Sequence, residues 1–205
     1  MQFDRLRRRE FIMLVGGTAA GVPLSAHAQQ AAKTIGLLGA VSASQQSLWT
    51  AAFLQRLREL GWNEGRTFAI TYRWTEGNSE RAAGLAAELV RLKVDVIVTS
   101  GNPIILAAKR ATATIPIVFA TSGDPIGSGL VTSLAKPGGN ITGLSLQWTD
   151  LAGKRLGLLR EVVPDLRRLG VIVSGDNRTA MLELNEAQAA ANTLGLDIEI
   201  GRAHV

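Results

Sequence analysis

The sequence contains no cysteine in 205 residues. That excludes disulfides, thiolate zinc sites, iron–sulfur clusters, cysteine nucleophiles and lipid attachment through an N-terminal cysteine. Histidine is almost as scarce: His27 and His204 are the only two. One falls in a segment read below as a leader, the other is the penultimate residue. Histidine acid–base chemistry and histidine metal sites are therefore nearly excluded. Aromatic residues make up 5% and charged residues 19%. No basic stripe with interleaved aromatics occurs, so nucleic-acid binding is not expected. Beyond residue 30 no unbroken apolar run reaches the ~18 residues that a membrane span requires. A G-x-x-x-x-G-K-[ST] phosphate loop, a G-x-G-x-x-G turn after a strand and a G-x-S-x-G nucleophile elbow are all missing. Composition points away from most enzymes.

What is present is apolar material enough for a core: 46% hydrophobic residues and a mean hydropathy of +0.16. The formal charge is +5, but Arg5, Arg7, Arg8 and Arg9 sit in the first ten residues beside Asp4 and Glu10. Residues 1–28 read as an export leader: a basic start, an apolar stretch from about Phe11 to Val22, a break at Pro23, and the small-x-small pattern Ala26-His27-Ala28. Arg8-Arg9-Glu10-Phe11-Ile12 is similar to a twin-arginine motif. The expectation is cleavage after Ala28, through the twin-arginine or the general Sec machinery. The mature protein would then reside in a periplasm, starting at Gln29.

Beyond Gln30 strand-like and helix-like segments alternate. Thr34–Leu38, Phe68–Tyr72, Val94–Thr99, Pro116–Ala120 and Leu169–Val173 are short apolar runs, and Ile141–Gly143 and Ile198–Ile200 are briefer ones. Between them, apolar residues recur at helical spacing over Ser47–Leu60, Arg81–Leu92, Asp150–Val163 and Thr179–Leu194. Gly101-Asn102-Pro103 opens another helix, with Asn102 suited to the N-cap. A short helix over Ser128–Leu134 is expected inside the glycine-rich stretch from Thr121 to Gly143. Trp49 reads as a core residue and Trp148 as a candidate for lining a cleft. Asp95 reads as a strand-end or paired residue. The tail Gly201–Val205 shows no periodicity.

Strands alternating with helices imply an α/β protein built on parallel sheets. One Rossmann-like lobe spans 33–145. A hinge helix and an incomplete second lobe occupy 146–205, because one βαβ unit cannot bury both faces; either another chain or segment completes that lobe, or the protein is truncated there. In open parallel sheets, ligands sit beyond the carboxyl ends of the strands, where helix N-termini present free N–H groups. Three loops fall there. They supply Ser42 and Ser44, then Ser100, Gly101 and Asn102, then Thr121, Ser122 and Asp124. Hydroxyl- and amide-rich loops hydrogen-bond an anionic or zwitterionic small molecule without catalytic groups. Capping is the competing role for Asn102. For Asp124, before Pro125, the choice lies between a structural turn and an acceptor for a ligand ammonium.

Several segments in order carry a resemblance: Gly61-Trp62-Asn63-Glu64-Gly65, Tyr72-Arg73-Trp74, Ile115-Pro116-Ile117-Val118-Phe119, Gly123-Asp124-Pro125, Gly129-Leu130-Val131, Pro137-Gly138-Gly139-Asn140-Ile141-Thr142-Gly143 and Gly153-Lys154-Arg155-Leu156. Over roughly Lys33 to Leu196 the chain resembles the ABC-transporter substrate-binding proteins that include tryptophan- and tyrosine-type uptake proteins. The resemblance implies a type I periplasmic-binding-protein fold, whose two lobes close on a small organic solute and dock on a membrane permease. It implies no catalytic residue, metal or cofactor. Its ligand-side loops fall on Ser42–Ser44, Ser100–Asn102 and Thr121–Asp124; the family often has Thr where Asn102 stands. A ligand-sensing domain for a receptor and a truncated product with little binding activity are the alternatives.

Overall fold

A computed structural model describes residues 32–174 and 178–203. The expected leader lies outside these residues, as does His204. Five strands and three helices come first: β1 (Lys33–Gly39), α1 (Ser47–Glu59), β2 (Phe68–Trp74), α2 (Ala82–Arg91), β3 (Val96–Thr99), α3 (Asn102–Ala111), β4 (Ile117–Ser122) and β5 (Ile141–Ser145). The strands form one sheet in the order β2-β1-β3-β4-β5, parallel throughout. Then follow α4 (Trp148–Val162), β6 (Arg168–Ser174), α5 (Arg178–Leu194) and β7 (Asp197–Ala203). The last two strands pair in parallel as a separate sheet. The fold is α/β, with helices crossing between the parallel strands as the alternating pattern implies, except between β4 and β5, which are joined by a stretch of turns.

The main core lies between the five-stranded sheet and α2 and α3. Leu38, Ile97, Ile117 and Phe119 point to Ala82, Ala86 and Leu89 of α2 and to Ile104, Ile105 and Ala108 of α3. Gly36 permits this approach, since a Cβ there would stand 3.1 Å from both Leu89 and Val94 side chains. The other face carries α1, which has no fully buried residue. Trp49 is 70% exposed, which overturns its expected place in the core. It flanks a groove with Phe53, Leu37, Val98 and Ala120. Leu92 is also exposed, because the helical face ends at Arg91 and Lys93 turns left-handed at φ 52°. A second cluster joins Leu156 of α4 to Ala191 and Leu196.

Two further expectations fail. Ser128–Leu134 is a series of turns, not a helix. The Pro125 carbonyl accepts the N–H groups of both Leu130 and Val131, at 2.9 and 3.0 Å, and Gly129 lies at φ 75°. These bonds tuck Leu130 and Val131 into the core, which satisfies their apolar character without a helix. The tail segment 201–203 is strand: Gly201 and Ala203 pair with Ile172 and Ser174.

Candidate functional site

The strand order fixes where a crevice opens. The chain passes from β1 outward to β2, then crosses β1 to reach β3 and proceeds to β4 and β5. The direction of winding thus reverses at β1, and a ligand fits beyond the carboxyl ends of the strands that flank such a reversal. The three loops singled out from sequence stand at the ends of β1, β3 and β4.

The loop after β1 is knotted by its own side chains. The Ser42 hydroxyl lies 3.0 Å from the Ser44 hydroxyl and donates to Gln45 Oε1 at 3.0 Å. Ser44 is exposed and Ser42 half-buried. Below them the Trp74 ring lies across the end of β1; a Cβ on Gly39 would stand 2.2 Å from it. Thr75 adds a bond to the Ala40 carbonyl at 2.6 Å. At the end of β3, Ser100 borders the groove beside α1. Gly101, at φ 82°, is the residue before α3, and no side chain caps that helix. The Gly101 N–H donates to the Thr121 carbonyl at 3.4 Å, so the second and third loops are joined through their backbones.

Asn102 is therefore not the N-cap; it is the first residue of α3. Its amide is drawn elsewhere. The Ser122 hydroxyl donates to Asn102 Oδ1 at 2.7 Å, and Asn102 Nδ2 donates to the Thr179 hydroxyl. Thr179 lies in the first turn of α5, 77 residues along the chain. Ser122 and Thr179 are 2% and 4% exposed. Thr121, the residue before Ser122 in β4, is exposed. Gly123 lets the pieces meet: a Cβ there would stand 2.9 Å from Thr179 Cγ2 and 3.3 Å from Trp148 Cε3. Trp148, a cleft candidate from sequence, thus borders this cluster while 43% exposed.

Asp124 takes the structural role. Its Oδ1 accepts the Gly127 N–H at 2.8 Å and its Oδ2 accepts the Thr149 hydroxyl at 3.1 Å. It ties the turn after β4 to the start of α4. The structure thus brings Gly101, Asn102, Thr121 and Ser122 together by direct bonds, and sets Ser42 and Ser44 apart in their own knot. Sequence reasoning missed Thr179 and the packing role of Gly123. A Thr at the start of the helix after the next buried strand was a signal, since that helix follows the first strand of the second sheet.

Chemically the cluster offers hydroxyls, one amide, backbone N–H groups and an indole. It contains no nucleophile–base pair, and among the described residues no group of acidic or histidine side chains is placed to hold a metal ion. Groups of these kinds are suited to hydrogen bonding and stacking.

The family model of ABC transporter substrate-binding proteins matches residues 17–203, and the chain belongs to that family. A tyrosine-binding protein of Clostridioides difficile is 28% identical over 153 residues, covering 75% of this chain and 44% of its own length. A conserved domain protein of Vibrio cholerae superposes with a TM-score of 0.76 at 28% identity, covering 83% of this chain and 57% of that one. The ABC domain from Streptococcus pneumonia in complex with L-Trp gives 0.74 at 27% identity, covering 84% and 57%. The fold is that of type I periplasmic binding proteins, and the chain spans about half the length of these relatives.

Proposed function

We propose that this chain captures a small organic solute, an amino acid or aromatic acid, for an ABC importer and presents it to an inner-membrane permease. In this reading residues 33–145 are the first lobe, and 146–205 carry the hinge helix and part of the second. The solute sits at the carboxyl edge of β1, β3 and β4. The observation that carries the reading is the meeting of Asn102 and Ser122 with Thr179. Side chains from the strand ends of one sheet face the helix start of the other, which is where a bilobed binder encloses its ligand. The absence of paired acid–base groups in this cluster favours binding over catalysis. The ligands of two relatives, tyrosine and L-Trp, make aromatic amino acids the first solutes to try. Residues 1–28 serve as the export leader, and the mature protein works in the periplasm.

Thermal unfolding with L-tryptophan, L-tyrosine and a panel of other amino acids and aromatic acids tests this. A ligand at a hundred times its Kd stabilises by about 2.7 kcal/mol, which raises the Tm of a chain this size by several degrees. Calorimetric titration then gives stoichiometry. No shift with any solute would overturn the proposal.

A further inference from the structure

We propose that one face of α4 is a self-pairing surface, on which a second copy of this chain docks its own α4 in antiparallel register. The pairing is independent of which solute binds. Ala152 and Leu156 are the buried residues of α4, and Leu156 packs with Ala191 and Leu196. A different side of the helix carries Leu151, Arg155, Leu158 and Val162. At about 100° per residue these four lie within an arc of about 60°. Their spacing of four, three and four residues is that of a helix–helix seam. The apolar members are turned to solvent, Leu158 to 52% and Val162 to 80%. The Arg155 guanidinium is drawn aside to Glu183, 2.6 Å away, which leaves its methylene stem along the seam.

The charges beside the seam select a second copy as the partner. Lys154 and Glu161 are exposed and fall on the same shoulder of the stripe, two turns apart. Neither makes an ion pair with another described residue. They stand on opposite sides of the stripe's midpoint, so a two-fold axis there sets each Lys154 against the other copy's Glu161. The same axis sets Leu151 against the other copy's Val162, and Arg155 against its Leu158. Each layer then joins two apolar side chains, or one and the stem of Arg155, and both shoulder contacts are ion pairs. Parallel pairing would set Arg155 against Arg155, like charge on like. Opposite Arg155, the other copy's Leu158 comes to a groove between α4, α5 and β6 that is lined by Leu156, Leu169, Val171 and Leu184. That groove carries the apolar surface beyond one helix face. The seam is still short against the roughly 1,600 Å² of a standard interface, so the pairing is weak and reversible.

Sedimentation of the purified protein over about two powers of ten in concentration should show a monomer–dimer equilibrium, weakened by salt. Lys154→Glu and Glu161→Lys each turn two ion pairs into two like-charge contacts, and each should weaken dimerisation about three- to thirtyfold. An equimolar mixture of the two variants regains both ion pairs in the heterodimer and should associate like the parent. The doubly exchanged variant should do the same. The lack of cysteine lets introduced thiols report the register. Antiparallel pairing holds the two Leu151 positions about 16 Å apart, too far for a disulfide, but sets each beside the other copy's Val162. Mild oxidation of Leu151→Cys mixed with Val162→Cys should therefore give a linked dimer, and either variant alone should give little. A parent that stays monomeric throughout would overturn the inference and leave the stripe to a different partner. Association untouched by the charge variants would overturn it too, since another surface, such as the open edge of β6, would then be responsible. So would disulfide formation by either cysteine variant alone at the rate of the mixture. The charge exchange decides by itself should a cysteine variant fail to fold.

Discussion

The Asp95 carboxylate accepts the backbone N–H of Thr34 at 2.7 Å, joining the residue before β3 to the start of strand β1. Lys33 Nζ adds a contact at 2.9 Å. The Thr34 N–H first, and the Lys33 ammonium second, hold the Asp95 carboxyl below its ordinary range. A carboxyl depressed in the folded state stabilises above its unfolded pKa of about 3.9. That contribution fades as pH falls from there through the lower folded value. Asp95→Asn should therefore be less stable than the parent near neutrality, and the gap should narrow in acid. Glu88, depressed mainly by its hydrogen bond from Arg73, leaves some acid sensitivity in the variant. Urea midpoints of both proteins from pH 2.5 to 7 decide it; a gap independent of pH would refute the assignment.

Ile97 is the residue of β3 on which the core depends. It is fully buried among Leu38, Ile117 and the α2–α3 face. Its neighbour Val96 faces the side that carries only α1 and remains half-buried. Ile97→Ala removes buried methyls from a packed site and should cost about 2–5 kcal/mol. Val96→Ala should cost clearly less. Denaturant unfolding of the two variants checks the order, and equal losses would contradict the facing of the strand.

Strand and helix order was legible because buried parallel strands read as unbroken apolar runs, as in Ile117-Val118-Phe119. Facing was less legible. The same run gives no sign that Ile117 and Phe119 are buried while Val118 is 38% exposed. Trp49 misled for a related reason: helical spacing marks an apolar stripe, but not how fully the opposite sheet face fills it. The loops at the strand ends were readable from topology, since winding order dictates them. The use of Asn102 was not, because local capping and a bond to a residue 77 positions away look alike in sequence. Asp124 was the reverse case, since Asp before Pro is a turn signal with a local mechanism.

Export should depend on the two arginines if residues 1–28 act as a twin-arginine leader. Replacing both, Arg8→Lys and Arg9→Lys, should leave the protein uncleaved in the cytoplasm, whereas the parent should reach the periplasm with Gln29 at its N-terminus. Fractionation and intact mass report both points. Unimpaired export of the double variant would assign the leader to the Sec route, and a secreted mass that still includes residues 1–28 would remove the leader altogether.

Gly143 and Gly84 should respond oppositely to alanine. Gly143 lies in β5, paired with Phe119 of β4. A Cβ there would stand 2.1 Å from the Phe119 carbonyl oxygen and 2.3 Å from its ring. The backbone oxygen cannot withdraw without breaking the β4–β5 register, and the ring belongs to the main core. Overpacking of this kind costs about 1–3 kcal/mol and more where the backbone must move. Gly143→Ala should thus lower the denaturation midpoint sharply. Loosening β5 should also disturb the crevice, because the Leu146 N–H donates to the Ser122 carbonyl at 2.8 Å immediately after that strand. Gly84, by contrast, is exposed within α2, and a Cβ there meets nothing within 4 Å. Gly84→Ala restricts the unfolded chain and suits the helix, a gain of about 0.4–1 kcal/mol. Parallel urea titrations of the two variants measure both signs at once. Tolerance of alanine at 143 would mean that β5 does not pair with β4 in this register, while a loss at 84 would mean that α2 does not present that side to solvent.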